Sequence, residues 1–180
     1  MSDHIIDSCS LINLYSGWGR LDELLELDSQ WHICDAVANE AEYVREYGPN
    51  GDKLLVRLDL QLSIQRGVLT SLSPESEKEL EDYVNYATEV DDGEAQALAI
   101  AKNRDFILLT DDRRAARLAQ RPDINVRTTS TPAVLQSWSR LSIENEHKLT
   151  VIIPRIADLA RFAPASDSAF FAWWMRYMTG

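Results

Sequence analysis

Short apolar runs alternate with helical patterns along most of the chain, and this alternation limits the folds open to it. Five runs predict strands: residues 4–7, 31–34, 68–72, 106–110 and 124–127. Between them, apolar residues at helical spacing predict helices at 18–27, 35–47, 52–66, 75–88, 92–104 and 112–120, and a further helix that Asp7 or Ser8 begins. Strands that alternate with helices form parallel sheets through right-handed crossovers. The sequence therefore predicts an α/β fold.

The pattern becomes purely helical after Thr131-Pro132, with helices predicted at 132–140, about 144–162 and 167–178. A chain of 180 residues with 45% hydrophobic content can bury one well-formed core, and no Gly/Ser/Pro-rich linker divides it. We therefore expect a domain over residues 1–140 and a helical extension, 141–180, packed on it. The aromatic run at 170–178 predicts that the last helix docks on the domain and contributes to a homodimer contact.

Charge and hydropathy limit the classes of partner. No apolar run reaches the roughly 18–20 residues that cross a bilayer, and the N-terminus lacks a basic segment, so we expect a cytoplasmic protein without a membrane partner. A net charge of −11 argues against broad binding to nucleic acid duplexes. However, residues 102–127 contain 7 of the 18 basic residues. This local excess fits either a site for a phosphate backbone or a solvated helix face with ordinary ion pairs.

Acidic residues stand where predicted strands end and helices begin: Asp7, Glu40, Glu94 and the pair Asp111-Asp112. In an open α/β sheet, side chains just beyond the carboxyl ends of the strands converge on one crevice. Carboxylates gathered there repel one another unless a cation neutralises them, and oxygen ligands suit Mg²⁺ or Mn²⁺. The pattern predicts a metal-dependent phosphodiesterase site.

Helix capping explains each of these carboxylates singly. Asp7 can cap the first helix, and Asp91 with Glu94 has the spacing of a capping box. Asp111 or Asp112 can cap the helix that begins near residue 113. Considered one at a time, capping is the more common role for acidic residues at these positions.

Two glutamates are harder to explain by capping alone. Glu40 shares a predicted helix face with Val37 and Val44, and Glu94 shares one with Leu98. A buried carboxylate without a partner costs several kcal/mol or stays protonated, and a bound cation removes that cost. Thr110, beside the two aspartates, adds a hydroxyl that can orient a water or a phosphate oxygen, although a β-branched residue at a strand end is common.

Four segments together resemble the PIN-domain nucleases, including the VapC-like toxin ribonucleases of toxin–antitoxin pairs. They are residues 5–12 (IIDSCSLI), 37–40 (VANE), 91–101 (DDGEAQALAIA) and 108–115 (LLTDDRRA). They occur in the family's order and the resemblance covers roughly residues 4–140. The helical tail from about Leu141 is an addition to the pattern of small family members, and it bears on the partner and the oligomer geometry more than on the chemistry.

The resemblance implies a three-layer α/β/α fold with a central, mostly parallel, twisted sheet, here followed by C-terminal helices. It implies a metal-dependent endoribonuclease that uses Mg²⁺ or Mn²⁺, with an RNA substrate and an antitoxin protein as partner. The implied catalytic residues are Asp7, Glu40, Glu94 and Asp112. The implied metal ligands are Asp7, Glu94, Asp112 and Asp111, with Thr110 as an accessory residue. Arg113, Arg114 and Arg117 are the candidate contacts to the RNA backbone.

Two other functions compete with this interpretation. The first is a non-catalytic interaction module whose acidic pocket binds a basic segment of a partner. The second is a phosphoryl-transfer enzyme on a doubly wound sheet, which also places aspartates at strand ends. The second is less favoured because such folds lack two core-facing glutamates, and because no glycine-rich phosphate loop of standard spacing is present.

Overall fold

A central sheet of five parallel strands forms the middle of the molecule. The computed structural model describes residues 2–40, the last by its backbone only, and residues 43–178. The sheet has the order β5-β2-β1-β6-β7, with β1 (Ser2–Ile6), β2 (Ser29–Cys34), β5 (Thr70–Leu72), β6 (Ile107–Leu109) and β7 (Thr128–Thr129). Every pairing in it is parallel. This confirms the predicted α/β architecture.

Helices flank the sheet and continue beyond its last strand. They are α1 (Ser8–Trp18), α2 (Asp35–Glu40), α3 (Leu60–Gln65), α4 (Glu77–Tyr86), α5 (Asp92–Arg104), α6 (Arg113–Ala119), α7 (Thr131–Ser139), α8 (Ile143–Arg155) and α9 (Phe171–Met178). A 3₁₀ helix at Asp22–Glu26 replaces the helix predicted over 18–27. The alanine-rich α5 contacts β1, β2 and β6, and its apolar side chains are buried. None of the helices that the structure describes is long and apolar enough to cross a membrane.

The predicted helices at 35–47 and 52–66 are wrong in the two halves that adjoin residues 48–51. There, β3 (Tyr43–Tyr47) and β4 (Lys53–Arg57) form an antiparallel hairpin whose register pairs Tyr43 with Arg57. The turn between them contains Gly51 with a φ of 79°, a value that glycine adopts without strain. Leu54 and Leu55 are 43% and 68% exposed, so the leucines interpreted as a buried helical stripe lie on a two-stranded ribbon instead.

The last predicted strand, 124–127, is displaced to Thr128–Thr129. The N–H groups of Ile124 and Asn125 both bond to the carbonyl of Arg121, and Asn125 has a φ of 52°. A tight turn therefore occupies the apolar positions that suggested a strand, and pairing with β6 begins only after it.

The C-terminal helices pack on the rest of the described chain, and the division into a domain over 1–140 and an extension over 141–180 stays a prediction. A Cβ at Gly17 of α1 would lie 2.8 Å from side-chain atoms of Ile152 and of Ile156, so glycine permits the close approach of α8. The helix predicted over 144–162 changes to a π-helical turn at Ile156–Ala160, shortly after Pro154, which has no N–H to donate. Trp174 of α9 is fully buried, so this helix docks on the molecule. Its contribution to a homodimer stays a prediction.

Candidate active site

The carboxyl ends of β1 and β6 bring the first and last acidic segments together. These strands are neighbours, and their register pairs Ile6 with Leu109. The N–H of Asp7 continues the ladder by donating to the Leu109 carbonyl at 3.0 Å. Asp7 therefore lies beside the segment that begins at Thr110, as the sequence pattern led us to expect for the strand ends of a parallel sheet.

Asp7 is fully buried and only half satisfied. It is the N-cap of α1, where Oδ1 accepts a 2.7 Å hydrogen bond from the Ser10 N–H. Oδ2 is buried and has no hydrogen-bond partner among the residues that the structure describes. Burial, with a smaller contribution from the negative charge of Asp111, raises the pKa of Asp7 to about 7, against the opposing effect of the Thr110 and Ser10 groups beside it. Capping therefore fixes the position of this carboxylate but leaves one oxygen for a ligand.

Glu94 lies in the first turn of α5 and is buried, as its apolar helix face predicted. Burial raises its pKa to about 7, and the charges of Asp112 and Asp7 act in the same direction. The predicted capping box is not completed, because the Asp91 side chain makes no capping hydrogen bond. Glu94 is thus close enough to two other carboxylates to feel their repulsion.

Asp112 caps α6 through one oxygen. Its Oδ1 accepts hydrogen bonds from the N–H groups of Arg114 at 2.6 Å and Ala115 at 2.9 Å. The buried Thr110 hydroxyl accepts from the Asp112 N–H at 3.1 Å, which fixes the turn between β6 and α6. As at Asp7, the cap orients the carboxylate and uses only one of its oxygens.

Asp111 has a different environment from its neighbour. Its Oδ2 accepts from the Asn13 side-chain amide at 2.8 Å, and its Oδ1 accepts from the Thr131 N–H at 2.9 Å. Asp111 therefore connects α1 to α7 with both oxygens, although burial raises its pKa. Of the two adjacent aspartates, Asp112 is the better placed to offer an oxygen to a ligand.

Sequence reasoning missed two residues of α1 beside this cluster. Cys9 is exposed as a whole residue, whereas Cys34 is buried. Partial desolvation of the Cys9 sulfur raises the pKa of its thiol to about 12, and the charges of Asp7, Glu94, Asp112 and Asp111 all act in the same direction. The thiol therefore stays protonated and lies within the field of all four carboxylates. Asn13 lies four residues further along α1, on the same face, and that spacing from Cys9 was the available signal.

The donor set fits a divalent cation. Asp7, Glu94 and Asp112 supply hard oxygen atoms, and two of the three have pKa values raised to about 7 in the absence of a neutralising charge. The match is one of chemistry only: among the side chains that the structure describes, no group of three or more Asp, Glu, His or Cys residues is arranged so that it could hold a metal ion. The side chain of Glu40, the remaining predicted member, lies outside the described residues; its backbone ends α2, which contacts α5.

Two of the three predicted RNA-binding arginines line a cavity next to the acidic cluster. Arg113 and Arg117 border a space of about 920 Å³ that Thr110, Asp111 and Asp112 also line. Arg113 forms a 2.8 Å ion pair with Asp167. Arg114 lines a second cavity, of about 450 Å³, which Arg117 also borders, and it donates to the Glu89 carbonyl. Of the three arginines, Arg114 alone does not line the cavity beside Asp112.

Comparison with known families adds one finding to this geometry. A family model described as a PIN domain matches residues 3–155. This span contains α1 to α8 and all five strands of the parallel sheet, and residues 156–178 lie beyond it. A search of curated proteins found no match.

Proposed function

The chain belongs to the PIN-domain family, and we propose that it is a ribonuclease that hydrolyses phosphodiester bonds with Mg²⁺ or Mn²⁺. PIN domains are generally nucleases, so a hydrolase of this kind follows from the family. The preference for RNA, and a role as the toxin of a toxin–antitoxin pair, rest on the four segments that resemble VapC-like proteins. An antitoxin and a second copy of the chain are the partners that this resemblance implies.

The unpartnered Oδ2 of Asp7 is the observation that carries the proposal. A buried carboxylate without a partner destabilises the folded chain, and here a second buried carboxylate, Glu94, adds to the repulsion. A protein that only needed to cap α1 would do so with a serine or an asparagine at no such cost. The retained negative charge is explained if the site binds a cation.

Asp7, Glu94 and Asp112 are the residues that we assign to the cation, with Glu40 completing the set. When bound, Mg²⁺ or Mn²⁺ supplies activation of a water and stabilisation of the leaving oxygen. The chain's own hydrogen bonds hold these carboxylates in place. The caps of α1 and α6 orient Asp7 and Asp112, and the Thr110 hydroxyl accepts a hydrogen bond from the backbone of Asp112. We assign Asp111 to holding α1 and α7 in place around the site.

Asp7→Asn tests the assignment directly. Asparagine keeps the cap on α1 and removes the charge, so we expect cleavage of a labelled RNA pool in Mn²⁺ to fall by about 100-fold or more, the scale on which removing one charge-stabilising group acts. EDTA should abolish cleavage by the wild type. Asp105→Asn is the matched control, since Asp105 is exposed and its left-handed backbone suits asparagine.

Unchanged cleavage by Asp7→Asn would show that this carboxylate has no catalytic role. The alternative function, an interaction module, has its own expected result. If neither the wild type nor the variant cleaves RNA, and Mn²⁺ does not raise the melting temperature of the wild type, the acidic pocket is better explained as a site for a basic segment of a partner.

A further inference from the structure

The segment that follows the π-helical turn folds back towards the acidic cluster, and it lies beyond the span matched to the family. Phe162 is half-buried and meets Trp174 of α9 edge-on at a centroid distance of 5.6 Å. Pro164 is buried. These contacts attach the segment to the body of the protein, so its position next to the site is fixed by packing.

Two cavities adjoin at the acidic cluster and share this segment as a wall. The larger, of about 920 Å³, is lined by Arg117 and by residues 162–165. The smaller, of about 270 Å³, is lined by Cys9 and Arg161. Both are also lined by Asp111, Asp112 and Phe162, so together they form one groove that passes Asp112. The larger cavity alone is in the size range of ligand-binding clefts, about 300–1,000 Å³.

An arginine without an ion pair borders each half of the groove. Across the residues that the structure describes, neither Arg117 nor Arg161 has a carboxylate within salt-bridge distance, whereas Arg113 is paired with Asp167. The acidic residue whose charge interacts with Arg161 is Asp158, and that carboxylate already accepts hydrogen bonds from Lys53 at 2.5 Å and Tyr47 at 2.6 Å. Both guanidinium groups are therefore available to an anion.

Arg161 is the C-cap of the π-helical turn, and its φ is 58°. Helices commonly end in this left-handed conformation, so the helix end explains the backbone at this position.

We propose that this groove holds a single RNA strand, with Arg161 and Arg117 contacting phosphates on the two sides of the bond that lies at Asp112. The inference rests on the proposed function and deepens it, because it assigns a substrate contact to the part of the chain beyond the family match. Two arginines without ion pairs attract the phosphates of an RNA strand. The carboxylate between them accepts the middle phosphate if a bound metal ion neutralises the repulsion between the two. Arg161 is thus a substrate-binding residue that the sequence motifs do not contain.

The test measures affinity for a short labelled single-stranded RNA in the Asp7→Asn background with Mg²⁺, so that the probe stays intact. Arg161→Gln keeps a Cβ at the left-handed position and removes the charge. We expect it to weaken binding by about 3- to 10-fold and to reduce the slope of log affinity against log salt by about 0.7, the contribution of one phosphate on a single strand. Arg117→Gln should have a similar effect.

Arg176→Gln is the matched control, since Arg176 is exposed on α9 and lines neither cavity. It makes the same change in net charge and should leave affinity and salt slope unchanged. Arg161→Lys should restore most of the binding, and all variants should retain the melting temperature of their parent. A structural role for Arg161 would shift that temperature without changing the salt slope.

The outcomes separate this inference from the proposed function. If Arg161→Gln binds RNA with the affinity and salt slope of Arg176→Gln, or if the parent binds no RNA, the groove assignment is overturned. Metal-dependent cleavage by the wild type would still support the nuclease in that case. If the wild type cleaves no RNA but binding depends on Arg161, the groove stands and the proposed catalysis fails.

Discussion

Two buried glutamates in neighbouring helices have opposite electrostatic environments. Glu79 of α4 is 3% exposed and Glu94 of α5 is 7% exposed. The Arg104 guanidinium, 2.6 Å from Glu79, holds the pKa of that carboxyl down at about 2, whereas burial beside other carboxylates raises the pKa of Glu94 to about 7. Equal burial therefore has opposite consequences, and the difference is the presence or absence of a cation supplied by the chain.

The surroundings of the two glutamates extend this contrast. Glu79 also completes a capping box with Ser76, and nearby Asp82 accepts hydrogen bonds from Lys102 and Asn103. The interface between α4 and α5 thus satisfies its own charges. The carboxyl edge of the sheet does not: Arg117 and Arg161 border the groove without forming an ion pair with Asp111 or Asp112, which line it too. A region that leaves charges unsatisfied in this way is suited to a ligand, whereas a self-paired region serves the fold.

Breaking the Glu79–Arg104 pair should have the largest effect on stability. Glu79→Gln removes the nearest carboxylate from the partly buried Arg104 guanidinium and leaves it Glu75 at 3.8 Å and the Ser73 carbonyl. We therefore expect the free energy of unfolding to fall by about 3 kcal/mol, the lower end of the range for a broken buried pair. Glu94→Gln, measured in EDTA at neutral pH or above, should leave stability unchanged or raise it, because it removes a repelled charge. Urea unfolding of the two variants beside the wild type measures both effects. Equal losses would show that the two glutamates are both structural.

The effect of Mn²⁺ on the melting temperature should be the second largest difference between the Glu79 and Glu94 regions. A ligand that binds only the folded chain stabilises it by about 2.7 kcal/mol at 100 times its dissociation constant, which raises the melting temperature by about 2–4 °C per kcal/mol for a chain of this size. We expect that increase in the wild type and in Glu79→Gln, measured from each protein's own value in EDTA. Glu94→Gln should lose most of it. An equal increase in all three would place the ion elsewhere.

The sheet and its edge were predictable because they depend on local patterns. Apolar runs and helix caps fixed the order of strands and helices, and Asp7 and Asp112 were identified from the positions where strands end. The hairpin at 43–57 was missed because leucines at helical spacing were interpreted without regard to the aromatic and β-branched residues before the turn. Local spacing alone does not distinguish an exposed ribbon from an amphipathic helix.

The features of the site that were not predicted from the sequence depend on contacts between distant segments. The local residue pattern does not separate Asp111 from Asp112, since the difference comes from Asn13 and Thr131, which lie far from them in the chain. Three α-helices and the π-helical turn lie between Asp112 and Arg161 in the chain, and the position of Arg161 depends on how these helices pack. Charge counting found the basic excess at residues 102–127, but packing decides which of those arginines reach the groove.

The smallest expected effect is the pH dependence of stability in EDTA, and its sign is opposite in the two regions. Asp7 and Glu94 have pKa values near 7 in the folded chain and near 4 when unfolded, so the folded chain holds more protons between these values. Their contribution to the free energy of unfolding therefore falls as pH rises from about 4 to about 7. Glu79, with its pKa lowered to about 2, contributes stability above about pH 4.5 and loses it on acidification.

Asp7→Asn isolates the first contribution. Below about pH 4 the aspartate is protonated in both the folded and the unfolded chain, so the variant and the wild type should have similar stability. Above about pH 7 the variant should be more stable by about 1–2 kcal/mol. This is less than the full pKa shift of Asp7 implies, because the titrations of Asp7 and Glu94 are coupled. Urea unfolding from pH 4 to pH 8 in EDTA measures the difference. Saturating Mn²⁺ should reverse its sign above pH 7, since only the wild type then has its charge neutralised. A constant difference across the whole pH range would mean that the Asp7 carboxylate is already satisfied within the fold.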